Sequence, residues 1–552
     1  YMVLNLIDNP WLPAMRADGC TEIIRPAEIT SAIETNPIVA IDWPRADFRV
    51  ACLEFLIGLV ATACPPDPDD EDAWIAGWAS PPSPGALADA VAPIAHAFNL
   101  DGPGPRFLQD FEELPGESDS PETLLIEAPG ESTRKKNTAL LVKPGRVTHL
   151  SRPAAAMALF TMQCYAPAGG RGNLTSVRGG GPLTTLVLPG VALCPLWKLI
   201  WANVPPGKPP EAADLPRVFP WLAPTRTADR FPATTPKETH PLQAFWGMPR
   251  RIRLDFAENP EGAPCDLTGI IDPVIVTGWR QRPNGIKYAF WEHPLSPSYK
   301  DTKSGGWLPV HPQPGGIGYR DWVAIVLGDA EGTRHPARCI REWRERSHDL
   351  RSMPDLPAEL RERSDSRLFA AGYDMDNMKA RGFVESEMPL PGTDPENAAA
   401  LASVARHLAA AAAIAAQTLR RAVREALYNR DTKADSAPLA SVHEAFWAAT
   451  QDRFFSLLRG VTGDWETALK GRGPDWRNKL RKEALRLFDE AAPLDPAVAS
   501  FDPARIVKAR CDLFFTLEGY RSNGERLFAE LLLTSPAPKG KRVPQRKGRK
   551  TP

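Results

Sequence analysis

No two of the eight cysteines fall in a CxxC spacing: Cys20, Cys52, Cys64, Cys164, Cys194, Cys265, Cys339 and Cys511 lie far apart. With no secretory leader to be read either, the expectation is reduced thiols in a cytoplasm, without disulfides or structural zinc. Long apolar runs are also missing. The most apolar stretch, Val50 to Cys64, follows Arg49, contains Glu54 and is shorter than the roughly 20 residues a spanning helix needs. It reads as a buried helix in a soluble chain, with no membrane partner. Neither GxxxxGK[ST] nor HExxH occurs, the nine histidines are dispersed, and His348-Asp349 has no further ligands at a recognisable spacing. Cys194 precedes Pro195 in apolar surroundings, with nothing beside it to lower a thiol pKa. Catalytic signatures are thus mostly missing, and no cofactor or metal is expected.

Acid is absent from one whole segment. Ser132 to Pro210 contains no Asp or Glu, where 67 acids in 552 residues would place about ten, yet it carries ten Lys and Arg. Just before it, Pro65 to Glu131 holds fifteen acids and a single basic residue, Arg106. The net charge of -1 thus conceals segregation of the two signs. A positive stretch without carboxylates suits a polyanion, because each phosphate it neutralises releases condensed counterions. The alternative is that the basic stretch packs on the acidic one. Pro536 to Pro552 adds seven Lys and Arg with no acid, which reads as a disordered basic tail. Without those seven charges the body falls from -1 to -8, so any contact with nucleic acid belongs to restricted patches.

What is abundant is Pro (58) and Gly (40), concentrated before about residue 395, where they interrupt short apolar runs such as Leu183 to Val187 and Val274 to Val276. Beyond Gly392 the texture becomes helical. Glu396 to Tyr428 is Ala-rich, with Leu401, Val404, Leu408, Ile414, Leu419, Val423 and Leu427 mostly three, four or seven residues apart. Further helical patterns cover about 438–460, 464–490 and 502–534. The expected class is α+β: a large, loop-rich mixed α/β domain over 1–390, an antiparallel four-helix bundle over 391–535, and the tail over 536–552.

Two glycine clusters stand inside the acid-free stretch, Gly169-Gly170-Arg171-Gly172-Asn173 and Arg178-Gly179-Gly180-Gly181. Glycine lets a backbone approach a ligand closely and adopt positive φ, while the interleaved Arg supplies charge. Such a cradle fits a nucleic-acid backbone or a narrow groove. The plainer alternative is a pair of turns.

Several segments together resemble the large subunit (CasA family) of the type I-E CRISPR surveillance complex, Cascade. They are Asn5-Leu6-Ile7-Asp8-Asn9-Pro10-Trp11-Leu12-Pro13, Phe107-Leu108-Gln109-Asp110, Ala128-Pro129-Gly130-Glu131, Lys135-Lys136-Asn137-Thr138, Ala156 to Phe160, Arg178 to Thr185 and His293-Pro294-Leu295-Ser296-Pro297. Each is short, but they follow the family's order over roughly residues 4 to 300, and the terminal helices match its bundle. The resemblance implies a subunit that recognises the protospacer-adjacent motif (PAM) of foreign double-stranded DNA from the minor groove. It starts strand separation there for R-loop formation and helps recruit a helicase-nuclease in antiviral defense. Sequence identity is then checked by RNA–DNA pairing. The implied partners are guide RNA, the other Cascade subunits, target duplex and that helicase-nuclease.

Carried over residue by residue, the family's glycine loop falls on Gly169, Gly170 and Gly172, with Arg171 and Asn173 alongside. Its basic minor-groove finger falls on Trp279-Arg280-Gln281-Arg282, with Arg282 the first candidate, Arg280 the second and Lys287 the third. Its wedge falls on Ala371 to Lys379, with Asn377 at the tip, Met375 and Met378 as apolar flanks and Lys379 beside it. The guide-RNA-proximal loop falls on Arg134 to Thr138, where Lys135, Lys136 and Asn137 are the contact candidates. Some relatives carry paired cysteines near Ser151-Arg152-Pro153 and Cys265; here Cys265 stands alone and cannot make a four-ligand zinc site. Two other function classes stay open on the residues themselves: a metal-dependent nuclease or nucleotide-using enzyme, and an architectural ribonucleoprotein scaffold.

Overall fold

The computed structural model describes residues 2–70, 72–130, 133, 135–136, 142–170, 172–329, 331–349, 366–376, 379–392, 395–428, 437–495 and 502–536. The chain divides into two compact units, one of Tyr1–Ile317 with Ala324–Thr393, the other of Gly318–Val323 with the residues from Asp394 onward.

In the first unit three antiparallel strands, β1 (Leu12–Arg16), β2 (Thr21–Ile24) and β3 (Ile38–Ile41), lead into helix α1 (Ala46–Ala63). Ala, Val, Leu, Ile and Phe occupy every side of α1, so it has no solvent face and is buried along its length. The helix expected over Val50 to Cys64 is therefore present, starting four residues earlier. Phe55 of α1 is the hub of the core. The rings of Trp11, Phe98, Phe107, Phe160 and Trp246 meet it edge-on at 5.4–6.0 Å, the arrangement aromatic quadrupoles favour. Trp11, Phe107 and Phe160 come from three of the motifs quoted above, so those motifs specify packing.

Further along are β4 (Leu150–Ser151), helix α2 (Arg152–Tyr165), β5 (Thr184–Leu188), β6 (Arg251–Glu258) and β7 (Val274–Arg282). The short strands β8 (Ser298–Lys300), β9 (Trp307–Pro309) and β10 (Arg334–His335) precede a long hairpin, β11 (Arg367–Asp376) and β12 (Lys379–Pro389). These strands make three further three-stranded sheets, in the orders β4-β7-β6, β10-β8-β9 and β12-β11-β5. The apolar runs at 183–187 and 274–276 lie in or at the start of β5 and β7. The unit is thus mixed α/β with small sheets.

A buried ionic network ties its elements together. Glu54 of α1, 2% exposed, pairs with Arg178, 3% exposed, at 2.5 Å. Thr184 Oγ1 donates to Glu54 at 2.5 Å and the Tyr165 hydroxyl donates to the same carboxylate. Arg178 also donates to Thr184 Oγ1 and Ser296 Oγ. The second glycine cluster must be corrected accordingly: its arginine is spent on Glu54 inside the protein and cannot serve a ligand.

The second unit is helical: α3 (Pro395–Leu427), α4 (Ala437–Leu458), α5 (Trp465–Ala491), α6 (Pro503–Leu517) and α7 (Arg521–Glu530). Fully buried Ala405, Ala411, Ala412, Ala415 and Ala416 let the other four helices pack closely on α3. By length and composition, with mean hydropathy 1.5, α3 is long and apolar enough to cross a membrane; helix contacts on α3 account for that apolarity. Trp476 of α5 donates its indole N–H to Leu408 O at 2.8 Å. Tyr319, from the segment that joins this unit, is buried against Phe454 with ring centroids 4.4 Å apart and shares a 2.8 Å hydrogen bond with Thr450. The single helix expected over 502–534 is two helices, because Gly519 takes φ +88° and terminates α6.

Replacing Arg178 by Met should leave Glu54 buried without its cation and lower stability by about 3–5 kcal/mol, read by denaturant unfolding. Adding Glu54→Leu should recover most of that loss. A single substitution that unfolds like the parent chain would contradict the network's role.

Candidate nucleic-acid interface

Helix α2 starts with Ser151 accepting the Ala154 N–H and ends at Tyr165, from which the chain enters the glycine-rich segment. The first cluster closes on itself. Gly169 N–H donates to Asn173 O at 3.2 Å, Asn173 N–H to Gly170 O at 3.4 Å, and the Asn173 side-chain amide to Gly169 O at 2.5 Å. Asn173 is therefore a staple of the loop. Gly170 and Gly172 both have positive φ, +73° and +83°. Around Gly170 there is open space, whereas a Cβ on Gly172 would stand 2.4 Å from Pro283 Cβ. Asn284 N–H donates to Gly172 O at 2.8 Å. The glycine loop thus lies against the turn that follows β7, and the residues assigned to loop and basic finger, 111 positions apart at Gly169 and Arg280, are brought together.

The finger itself is an antiparallel ribbon in which Arg251 faces Arg282 and Arg253 faces Arg280. Like charges opposite one another on a ribbon repel unless compensated. Arg251 Nε is paired with Asp110 at 2.6 Å, Arg253 with Glu113, and Arg280 Nε with Asp255 at 3.3 Å. Arg282 is exposed at the strand end and has no carboxylate partner among the described residues. The local geometry gives a physical ground for placing Arg282 ahead of Arg280: Arg280 is engaged by Asp255, and Arg282 has no such partner among the described residues. Lys287 is exposed beyond the turn.

Gly181 marks a second close approach. A Cβ there would lie 2.7 Å from both Met375 Cγ and Cε and 2.8 Å from Tyr373 O, so the hairpin β11–β12 rests directly on the end of the glycine segment. This corrects the assignment of Met375 as an apolar flank of the wedge, since its side chain is packed against Gly181. Lys379 is exposed, opposite Asp376 in the register. Asn377, Met378, Arg171 and Asn137 lie outside the described residues. Lys135 and Lys136 are exposed on the stretch before Lys143, carried neither by the loop nor by the ribbon.

Charge in the acid-free stretch is partly consumed inside the fold. Arg152 is held by Asp101 at 3.1 Å and Asp272 at 2.8 Å, Lys208 by Asp69 at 2.5 Å, and Lys198 sits over the Trp78 ring. Asp69 and Asp101 belong to the acidic segment, so the packing alternative applies to these cations, while Lys135, Lys136, Lys143 and Arg146 stay exposed. Cys265 is buried beside Ser151, and hydrogen bonds from Thr268 and Ser151 outweigh burial to lower its thiol pKa. Among the described residues no group of three or more His, Cys, Asp and Glu is placed to hold a metal ion.

Sequence reading missed Arg250 and Asn284. Asn284 was signalled by Pro283-Asn284-Gly285, a turn sequence immediately after the basic run. Arg250 precedes the alternating Arg251-Ile252-Arg253-Leu254 of a half-buried strand, and what distinguishes it from Arg251 and Arg253 is the lack of a carboxylate partner among the described residues, which the sequence does not show. Burial pushes its guanidinium pKa down to about 10.

Gly172→Ala should break the loop from the turn and expose the Asn284 amide to faster hydrogen exchange, because its Cβ collides with Pro283. Gly170→Ala should add only left-handed strain of about 1–2 kcal/mol and keep that amide protected. Equal protection in the two variants would contradict the contact.

The chain matches the model of the family described as CRISPR-associated protein Cse1 over residues 5–487. Its fold is similar to Thermus thermophilus CasA (Cse1), with TM-score 0.65 at 18% identity over 96% of this chain and 99% of that one. It is similar too to Thermobifida fusca Cse1, with TM-score 0.66 at 16% identity over 96% and 99%. A chain of a CRISPR RNA-guided surveillance complex matches with TM-score 0.62 at 17% identity over 94% and 100%. A family match spanning most of the sequence, on a fold shared end to end, makes this chain a member of the Cse1 family, the large subunit of type I-E Cascade.

Proposed function

We propose that the chain acts within Cascade as the reader of the PAM in foreign double-stranded DNA, working from the minor groove and opening the duplex beside it without cutting it. The observation that carries this reading is the junction of Gly172 with the turn after β7, which brings the glycine loop, open at Gly170, to the end of the ribbon where Arg282 has no carboxylate partner among the described residues. An arginine entering a narrow minor groove gains from its enhanced negative potential, and a side-chain-free backbone next to it admits the groove edge. The ribbon's other arginines, Arg251, Arg253 and Arg280, are neutralised in place, so they stiffen the finger and leave the contact to its end.

The hairpin β11–β12 is the proposed wedge, with Asn377 at its tip and Lys379 as a phosphate contact on the opened strand. Its seat on Gly181 ties it to the same segment that carries the reading loop, which supports one continuous element for reading and parting. Lys135, Lys136 and Asn137 are proposed to lie near the guide RNA, positioning the subunit through phosphates. The helices over 391–535 are proposed to form the family's antiparallel four-helix bundle, α6 and α7 together supplying the fourth member, and 536–552 a basic tail. Assembly with guide RNA and the other Cascade subunits, recruitment of the helicase-nuclease after R-loop formation and action in the cytoplasm complete the proposal.

In the assembled complex, Arg282→Ala should weaken binding of PAM-bearing duplex by about 1–3 kcal/mol and blunt discrimination against scrambled PAM, measured by duplex titration. Undiminished affinity and discrimination would reject Arg282 as the reader.

A further inference from the structure

Arg250 stands just before β6 and is 9% exposed. The two arginines that follow on the ribbon, Arg251 and Arg253, have Asp110 and Glu113. Arg250 has no carboxylate among the described residues. Its Nε donates to Leu174 O at 2.8 Å and its Nη2 to Pro167 O, the two flanks of the first glycine cluster. Between those flanks lies Gly169, where a Cβ would come within 3.4 Å of both Nη1 and Nη2. The guanidinium therefore lies directly behind the loop backbone, with Nη1 unclaimed by any described residue. No described acceptor takes the Gly170 or Gly172 N–H either. A buried cation without an anion is costly, and two carbonyl dipoles do not neutralise it.

We propose that Arg250 is a fixed anion-binding group behind the glycine loop, completing a seat for one backbone phosphate of the duplex together with the Gly170 and Gly172 amides. The proposal deepens the reading of this loop as a DNA contact and rests on it. Arg282 then addresses the groove, while Arg250 and the loop fix the register along the strand. Charge-assisted bonds from a buried guanidinium and backbone amides are the groups that phosphate recognition uses elsewhere. The same arginine also clamps Pro167 O and Leu174 O, so its loss has a structural component that the test must separate.

The test is the salt dependence of PAM-duplex binding by the assembled complex carrying Arg250→Lys or Arg250→Gln. Arg250→Gln should reduce the slope of log affinity against log salt by about 0.9, the loss of one phosphate contact, and weaken binding about ten-fold at physiological salt. Arg250→Lys should retain the slope. Unchanged slopes in both variants, at whatever affinity, would overturn the proposal in favour of a structural clamp. If neither variant assembles, single methylphosphonate substitutions along the duplex decide with the unaltered complex. One neutralised position near the PAM should lower affinity about ten-fold, and a scan without any such position overturns the proposal. Retained PAM discrimination with unchanged slopes sinks only Arg250. Loss of discrimination from the unaltered complex would sink the reading of the loop itself.

Discussion

Position 172 carries no side chain, and that vacancy is what allows two remote segments to form one surface. A single methyl group there would collide with Pro283 and part the loop from the turn, and with it the 2.8 Å bond from the Asn284 amide. The contact is small, yet it decides whether the glycine backbone and the ribbon end that carries Arg282 form one surface or two. Its geometry is held from behind. Gln163 near the end of α2 accepts the Arg250 N–H at 3.0 Å and returns a 2.9 Å bond to Arg250 O, so helix, loop and ribbon share one base.

That base is anchored by charges placed where water does not reach. The Glu54–Arg178 pair is satisfied on every side by hydroxyls, which is the condition under which a buried ion pair is tolerable. It joins α1 to the segment between loop and hairpin. Above it, Gly181 admits β11 at contact distance. The region from 166 to 183 is in this sense one strap: Gly172 meets the ribbon, Arg178 is bolted to the core, and Gly181 carries the hairpin.

The sequence reading succeeded where the information was local. The Ala-rich helix over 396–428 followed from spacing alone, and the mixed α/β character of the first part followed from Pro and Gly breaking short apolar runs. It failed where partners are distant. Arg178 looked like a ligand group because Glu54 lies 124 residues earlier, and nothing near Arg178 announces it. Arg282 stood ahead of Arg280 through the family resemblance alone, because the carboxylate that engages Arg280 sits across the ribbon at Asp255, where no local signal shows it. Met375 read as an apolar flank until its packing on Gly181 was seen. The split of the last helix was visible in principle, since Gly519 interrupts it, but the apolar period continues across the break and masked it. Three of the motifs carrying the family resemblance contribute the core residues Trp11, Phe107 and Phe160, so packing explains why those motifs are legible, whereas Lys135 and Lys136 of another motif are exposed.

The most direct measurement is a cryo-electron microscopy structure of this chain assembled with guide RNA and its partner subunits on a PAM-bearing duplex. The account predicts residues 169–173 and 280–282 in van der Waals contact with the minor-groove side of that duplex. A duplex that passes elsewhere, with this loop and ribbon end facing only solvent or protein, would contradict it.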